Sequence, residues 1–403
     1  MSGNSNVVSA MYMIDDMNAP GVMMTVNPIA PVASLTATIP AATMQNLLEG
    51  QHSLHVLAQD AFGNWGMHGT GALGVDKTGP TASAVSATPG VLYTRAAVRV
   101  DATLADQPST GDLNLPGVAS TIKKAEGFID VTGPNGTGFP LTPRDGLFNQ
   151  QTELAYATIP LATINALSEG THTVYIHGQY SSGNWGSFGS TTFTILPQSI
   201  FSDGFESGDF SAWSASTGIV SVSGAAARTG SFGMQASLAG AAFGYVTDNT
   251  PIAEPSYKAR FYFHPNGALP VNNNAANGVT IFSGLDGSNA AVFQVQFRRQ
   301  NSGGGTYQVR LSVQRAGGVT NTGWFNISNA WHSIEISWAS GATTSASIYV
   351  DGMLRQTLTG LNTGAYKVES VRLGPSAGAL GNSASGAMYF DDFVSRRTQY
   401  IGP

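Results

Sequence analysis

Trp331-His-Ser-Ile-Glu-Ile-Ser-Trp338 alternates apolar and polar side chains without a break, the period of a β-strand with one face buried and one in water. A loop follows, then Ser347-Ile-Tyr-Val-Asp-Gly352, whose Asp-Gly pair signals a hairpin turn before Met353 and Leu354 resume. Upstream the pattern recurs twice. Phe293, Val295 and Phe297 fall on one side of a strand, with Gln294, Gln296 and Arg298 on the other. Tyr307, Val309, Leu311 and Val313 oppose Gln308, Arg310, Ser312 and Gln314 in the same way. No long helical period occurs anywhere, so the expected fold class is all-β, built of sandwiches.

Composition bounds what such a protein does. At 403 residues it exceeds one ordinary domain, and roughly 150 residues per domain suggests two to four. Charged residues are 10% against a usual value of about 25%, while hydrophobic content of 42% is ample for packed cores and argues against disorder. The net charge of −6 is uneven, with 6 basic and 13 acidic residues up to Pro197 and 12 basic and 11 acidic from Gln198 onward. Neither part has the basic excess of a nucleic-acid binder. The absence of cysteine removes disulfides, thiolate metal sites and cysteine nucleophiles together. No run approaches the roughly 20 apolar residues of a membrane span. Met1 to Met13 has neither a basic start nor an apolar core, so a secreted protein needs an export signal upstream or already removed.

An internal repeat organises the first half. Ala37-Thr-Ile-Pro40 returns as Ala157-Thr-Ile-Pro160, Glu49-Gly50 with His52 as Glu169-Gly170 with His172, and Gly63-Asn-Trp-Gly66 as Gly183-Asn-Trp-Gly186, each 120 residues on. Ala41 to Leu48 is too short for an independent helix and reads as a crossover. His52 to Asp60 alternates, and Ala61-Phe-Gly-Asn64 supplies the turn of a closing hairpin. The second copy has an upstream stretch, Thr81 to Val118, with strand signals in Ala96 to Leu104, to which nothing in the first copy corresponds. Ala10 to Asp15 aligns with Ala125 to Asp130, so the first copy begins inside its own fold. Either this is a fragment or a shortened sheet, or a neighbouring subunit donates the missing strand and builds a head-to-tail fibre. Eight of the 11 methionines fall in the first 67 residues, which suits an adaptable contact and an irregular core equally.

These repeats resemble the bacterial immunoglobulin-like domains of secreted and surface proteins, whose final hairpin carries Glu-Gly-x-His and then Asp-x-x-Gly-Asn. Asp76-Lys-Thr-Gly-Pro80 looks like the linker of such arrays. From residue 198 the chain is similar to the laminin-G-like branch of the concanavalin A-like jelly rolls, on Trp331-His-x-Ile-x-Ile, Ile348-Tyr-Val-Asp-Gly352, Asp203-Gly-Phe-Glu-Ser-Gly-Asp209 with Trp213, and Tyr389-Phe-Asp-Asp-Phe393. The division expected is 1–80, an incomplete immunoglobulin-like domain; 81–197, a complete one; and 198–403, a jelly roll. The resemblance implies an extracellular or cell-surface protein engaged in spacing or adhesion.

Two constellations carry the site expectations. In the closing strand either face puts a carboxylate among apolar neighbours, where it must be hydrogen-bonded, paired or bound to a cation. Related jelly rolls often tie their first and last strands with calcium, and the resemblance makes Asp203, Glu206, Asp391 and Asp392 its candidate ligands. The alternative is a set of backbone hydrogen bonds at a β-corner. On the middle strands Gln294, Gln296, Arg298, Gln308 and Arg310 form an outward row able to hydrogen-bond a polysaccharide, or simply a solvated sheet face. No aromatic platform is evident there from the sequence.

Other motifs lead nowhere. Gly69-Thr-Gly-Ala-Leu-Gly74 matches a dinucleotide loop without the following helix, and Gly374-Pro-Ser-Ala-Gly378 matches a hydrolase elbow in a glycine-rich β context. His52 and His172 occupy equivalent places beside a turn, which points to a structural part. His55, His68, His177, His264 and His332 form no metal spacing, and Glu335 lacks the acidic partner a glycosidase strand needs. The expectation is therefore a non-enzyme. It is a structural or adhesive protein associating with copies of itself or a neighbouring surface protein, or else a carbohydrate-binding appendage of a larger secreted hydrolase.

Overall fold

The computed structural model describes residues 5–106, 120–270, 278–300 and 305–403. Strands dominate, and the α-helices among the described residues are Ala41–Asn46 and Leu161–Ala166, the two crossovers. Each starts after a proline and returns to extended backbone at Leu47 or Leu167. The chain forms two compact units, Met1–Ile195 and Leu196–Pro403.

In the first unit the second repeat is a two-sheet sandwich. One sheet runs, in spatial order, Phe139–Pro140, Ile122–Ile129, Gly170–Tyr180, Gly189–Ile195 and Val91–Leu92; the other runs Thr142–Pro143, Thr152–Ile159, Val98–Ala105 and Thr81–Thr88. Val98, Val100, Ala102 and Leu104 project from the second sheet against Ile122, Ala125, Val174, Ile176 and Phe193 of the first, and all are buried. Alternation in Val98–Ala105 thus does what its period requires, sealing every second side chain.

The first repeat has the matching sheet, Val22–Met23, Val7–Ile14, Gly50–Asp60 and Gly69–Val75, but beside it only the short hairpin of Thr25–Asn27 and Ser34–Thr36. It has no counterpart of Thr81–Thr88 and Val98–Ala105 among its described residues. Residues 107–118 of the upstream stretch lie outside the described residues. The consequence shows in burial: Leu54, Val56 and Leu73, which align with sealed Val174, Ile176 and Phe193, are only half-buried. Met67 is 97% exposed and Met23 63% exposed, so part of the methionine-rich segment faces solvent.

The second unit packs two eight-stranded antiparallel sheets over one core. One runs Val220–Ser223, Gly233–Ser237, Ala387–Arg396, Ser256–His264, His332–Ala339, Thr344–Val350 and Met353–Leu361, with Ser199–Asp203 also paired to Ala387–Arg396. The other runs Ala215–Gly218, Gly244–Asp248, Ser370–Gly378, Val279–Leu285, Ala291–Gln300, Thr306–Arg315 and Gly318–Asn321, with Phe325–Ile327 also on Thr306–Arg315. Ile334, Ile336 and Trp338 face Phe293, Val295 and Phe297 across this core, all buried, as the alternation of both strands demands. The opening strand pairs with the closing one, Asp203 opposite Phe393.

The closing strand departs from strict alternation. Tyr262 pairs with Asp391 and Arg260 with Val394, so the register slips between them and Asp392 takes a left-handed φ of 49°. Because of this bulge Phe390 and Phe393 both reach the core, where a regular strand would place them on opposite sides. The Gly69–Gly74 and Gly374–Gly378 motifs both lie within strands, with no phosphate-binding helix or nucleophile turn.

Candidate functional site

The histidines that look chemical turn out to be clips. Asp15, Asp130 and Asp351 each sit at a left-handed corner, with φ of 61°, 61° and 54°. The Oδ1 of each accepts the backbone N–H of Ser53, Thr173 or Ser333. Its Oδ2 meets Nδ1 of His52, His172 or His332 at 2.7 Å in all three. In the repeats the other ring nitrogen faces a carbonyl, Leu48 for His52 at 2.7 Å and Ser168 for His172 at 3.0 Å. Two acceptors around one ring are both satisfied only by imidazolium. Burial works to lower the pKa of both rings, yet the carbonyl and the aspartate outweigh it and hold both above the usual value. His332 differs, since its Nε2 accepts from the Ser328 N–H at 3.0 Å and its Nδ1 therefore donates to Asp351. With both nitrogens committed, none of these rings is available as a general base.

His177 is equally enclosed. Its ring stacks between Trp185 and Phe188, centroids 4.4 and 4.0 Å away, and pairs with buried Glu126 at 2.9 Å. Among the described residues no group of three or more His, Asp or Glu side chains is arranged to hold a metal.

The four carboxylates expected as calcium ligands gather along the first and last strands, but each is turned to protein donors. Asp203 accepts the Phe205 N–H and the Trp213 indole, the latter at 2.7 Å. Glu206 accepts the Ser231 and Phe232 N–H groups. Asp391, fully buried, accepts from Arg228 and Thr229 through Oδ2 and from the Asp392 N–H through Oδ1. Asp392 binds the Thr229 hydroxyl and pairs with Arg228 at 3.1 Å. All eight oxygens therefore already accept a hydrogen bond. Glu206, Asp391 and Asp392 thereby fasten the Arg228 to Phe232 segment to both ends of the domain, while Asp203 holds Phe205 and Trp213. Burial lifts Asp391 to about 6, although its three backbone bonds pull the other way.

The outward row on the other sheet is brought together as its alternation requires. Residues directly opposite on paired strands share a face, and Gln294 faces Ser312, Gln296 faces Arg310, and Arg298 faces Gln308, which in turn faces Asn326. Across the neighbouring strand Ser283 lies between Gln294 and Arg372, and Arg372 opposite Thr247. The side chains are tied to one another. Arg298 Nε donates to Gln308 Oε1 at 2.8 Å, Gln308 Nε2 to Asn326 Oδ1 at 2.8 Å, and Arg310 Nε to Gln296 Oε1 at 2.7 Å. Long flexible amides and guanidinium groups are thereby held in place, which lowers the entropy a ligand must overcome.

An aromatic ring lies among them. Trp324, half-buried in the turn before Phe325–Ile327, has the guanidinium carbons of Arg298 and Arg310 at 4.2 and 4.4 Å from its ring centroid. Its position corrects the expectation that this face carries no aromatic platform. The sequence hid it because Trp324 belongs to no alternating run; only the pairing of Phe325–Ile327 with Thr306–Arg315 swings it onto the sheet. Burial lowers the pKa of both guanidinium groups, and for Arg310 the nearby charge of Arg298 adds to the effect.

No family model matches this chain, and no curated protein matches it. Solved structures match about half of it. The T. cruzi calreticulin globular domain is 14% identical over 50% of this chain and 88% of its own, with a TM-score of 0.36. Domain 4 of AbnA, a GH43 extracellular arabinanase from Geobacillus stearothermophilus, solved with arabinotriose, is 14% identical over 51% of this chain and 94% of its own, with a TM-score of 0.32. A structure described under cell entry of botulinum neurotoxin type C through two ganglioside molecules is 15% identical over 51% of this chain and 49% of its own, with a TM-score of 0.33. Similarity at this level leaves the functional question to the site itself.

Proposed function

We propose that this chain is a non-catalytic extracellular adhesion protein. In this reading the carboxyl-terminal unit binds carbohydrate on the sheet face of Gln294, Gln296, Arg298, Gln308 and Arg310, and the two repeats act as its spacer. The observation that carries the reading is Trp324, set among fixed amides and two guanidinium groups on an otherwise polar sheet. Indole offers its ring to the C–H face of a sugar while amide and guanidinium groups bond hydroxyls, the mixture of apolar surface and a few placed polar groups that ligand sites use. The commitment of His52, His172 and His332 to structural bonds supports a non-enzyme. No helix among the described residues is long and apolar enough to cross a membrane.

A glycan array with the full chain tests this. Binding that falls at least tenfold in Trp324→Ala, and weakens in Arg298→Ala and Arg310→Ala, is the expected result; a blank array removes the proposal.

A second reading rests on the first repeat, where Leu54, Val56 and Leu73 lack the covering sheet that their counterparts have. A strand donated by a neighbouring copy would complete that sandwich and build a fibre. Electron microscopy showing filaments favours it, and dispersed monomers under all conditions remove it.

A further inference from the structure

We infer that the polysaccharide recognised on this face is an acidic one, its carboxylate or sulfate groups seated against Arg298 and Arg310 beside Trp324. The inference deepens the carbohydrate-binding proposal and rests on it.

The first observation is a segregation of charge. The strands of this sheet contain five arginines and one acidic residue, Asp248. Asp248 lies in step with Val246 on the core side and is only 1% exposed. Arg299 and Arg315 share the parity of the core residues and are occupied at its margins, Arg299 near the Tyr307 ring and Arg315 on the Thr320 hydroxyl at 2.6 Å. Arg298, Arg310 and Arg372 remain on the outer face, where the residues directly opposite them are Gln308, Gln296, and Ser283 and Thr247. In a protein of net charge −6, the described strands of this sheet thus place cations and no carboxylate on the outer face, with Ser283, Gln296 and Ser312 buried between them.

The second observation is how those cations are kept. Among the described residues no Asp or Glu forms an ion pair with Arg298. Arg298 and Arg310 both pack on one indole, and Arg372 lies 5.0 Å from the Tyr245 ring centroid. Aromatic faces and neutral amides hold a guanidinium in place without neutralising it. Two like charges on one partly desolvated ring repel, and an anion shared between them relieves that repulsion. The planar fork of arginine suits a carboxylate or sulfate in a bidentate manner, where a neutral hydroxyl uses one donor at a time. A neutral glycan would need no such excess.

The test measures binding of the full chain at low ionic strength to polygalacturonate, to the same polymer with its carboxylates methyl-esterified, and to single-stranded DNA of similar charge. Binding to polygalacturonate is expected to weaken at least tenfold on esterification and at least tenfold in Arg298→Gln and in Arg310→Gln. Arg298→Lys, which keeps the charge, restores part of it, and Arg315→Gln leaves it unchanged. Unaltered melting temperatures of these variants exclude unfolding as the cause. Equal affinity for the esterified polymer, lost in Trp324→Ala but not in the arginine variants, overturns this inference and leaves carbohydrate binding standing. Equal affinity for DNA overturns it too, as a general polyanion surface. Absence of binding to every polysaccharide overturns both.

Discussion

Asp130→Asn isolates the charge of a clip from its shape. Asparagine tolerates the left-handed corner at φ 61°, keeps an oxygen for the Thr173 N–H, and can donate its amide to Nδ1 of neutral His172 while Nε2 donates to the Ser168 carbonyl. Every hydrogen bond survives; only the imidazolium–carboxylate pairing goes. His172 in the folded chain has a raised pKa, so the stabilisation is full below its ordinary value near 6.5 and is lost as pH rises through the folded value. Asp130 works in the opposite sense, with a lowered pKa and a contribution lost on acidification below about 4. A hydrogen bond to a charged group contributes about 1.5–3 kcal/mol and a neutral one about 0.5–1.5, so the expected loss near pH 6 is about 1 kcal/mol. The low end of that difference applies because the Asp130 side chain is 43% exposed and screened by solvent. For a unit of this size 1 kcal/mol lowers the melting temperature by about 2–4 °C. Calorimetry of wild type and variant at pH 6 and pH 8 should show that difference at pH 6 and a smaller one at pH 8. An equal loss at both pH values would refute the reasoning, because it would show that shape rather than charge maintains the clip.

Asp391→Ala strips the acceptor from the N–H groups of Arg228, Thr229 and Asp392 and should cost about 3 kcal/mol in thermal or urea unfolding of the carboxyl-terminal unit; a loss under 1 kcal/mol contradicts it. With its carboxyl lifted to about 6, Asp391 favours the fold when protonated, so its contribution falls as pH rises from about 4 to about 6, and a titration in which the variant keeps the wild-type slope there would be inconsistent. Val56→Asp and Ile176→Asp stand at equivalent positions, yet the first is half-buried and should cost no more than about 2 kcal/mol while the second, sealed, should cost more than about 4 in chemical denaturation. Chelation of calcium should leave the carboxyl-terminal melting temperature unchanged, since Asp203, Glu206, Asp391 and Asp392 already have protein donors; a fall of several degrees would restore the metal to that corner.

Side-chain alternation made the all-β class readable before any coordinates, because a strand that buries one face must spell it in its sequence. Phe293 to Phe297 and Tyr307 to Val313 put their apolar residues in the core and their polar ones on the opposite face as written, although Gln296 and Ser312 are buried there, and Gln294, Gln296, Arg298, Gln308 and Arg310 therefore meet on one face. The repeat likewise placed His52 and His172 in matching structural roles. What stayed hidden depends on pairing between distant segments. The bulge that sends both Phe390 and Phe393 inward is a property of the register between two strands, not of the closing strand's own sequence. Trp324 sits outside any periodic run, so no pattern assigns it a face. The orientation of Glu206, Asp391 and Asp392 depends on which donors the Arg228 to Phe232 segment presents, and that segment has no signature of its own.

The central claim is that a glycan lies on the Trp324 face. Nuclear magnetic resonance of the full chain, following the indole N–H of Trp324 and the side-chain Nε–H of Arg298 and Arg310 during titration with the glycan that binds best, tests it most directly. The account requires these three signals to move together and saturate at one affinity, with the Arg315 signal still. Saturable binding that leaves all three unmoved would place the ligand elsewhere and contradict it.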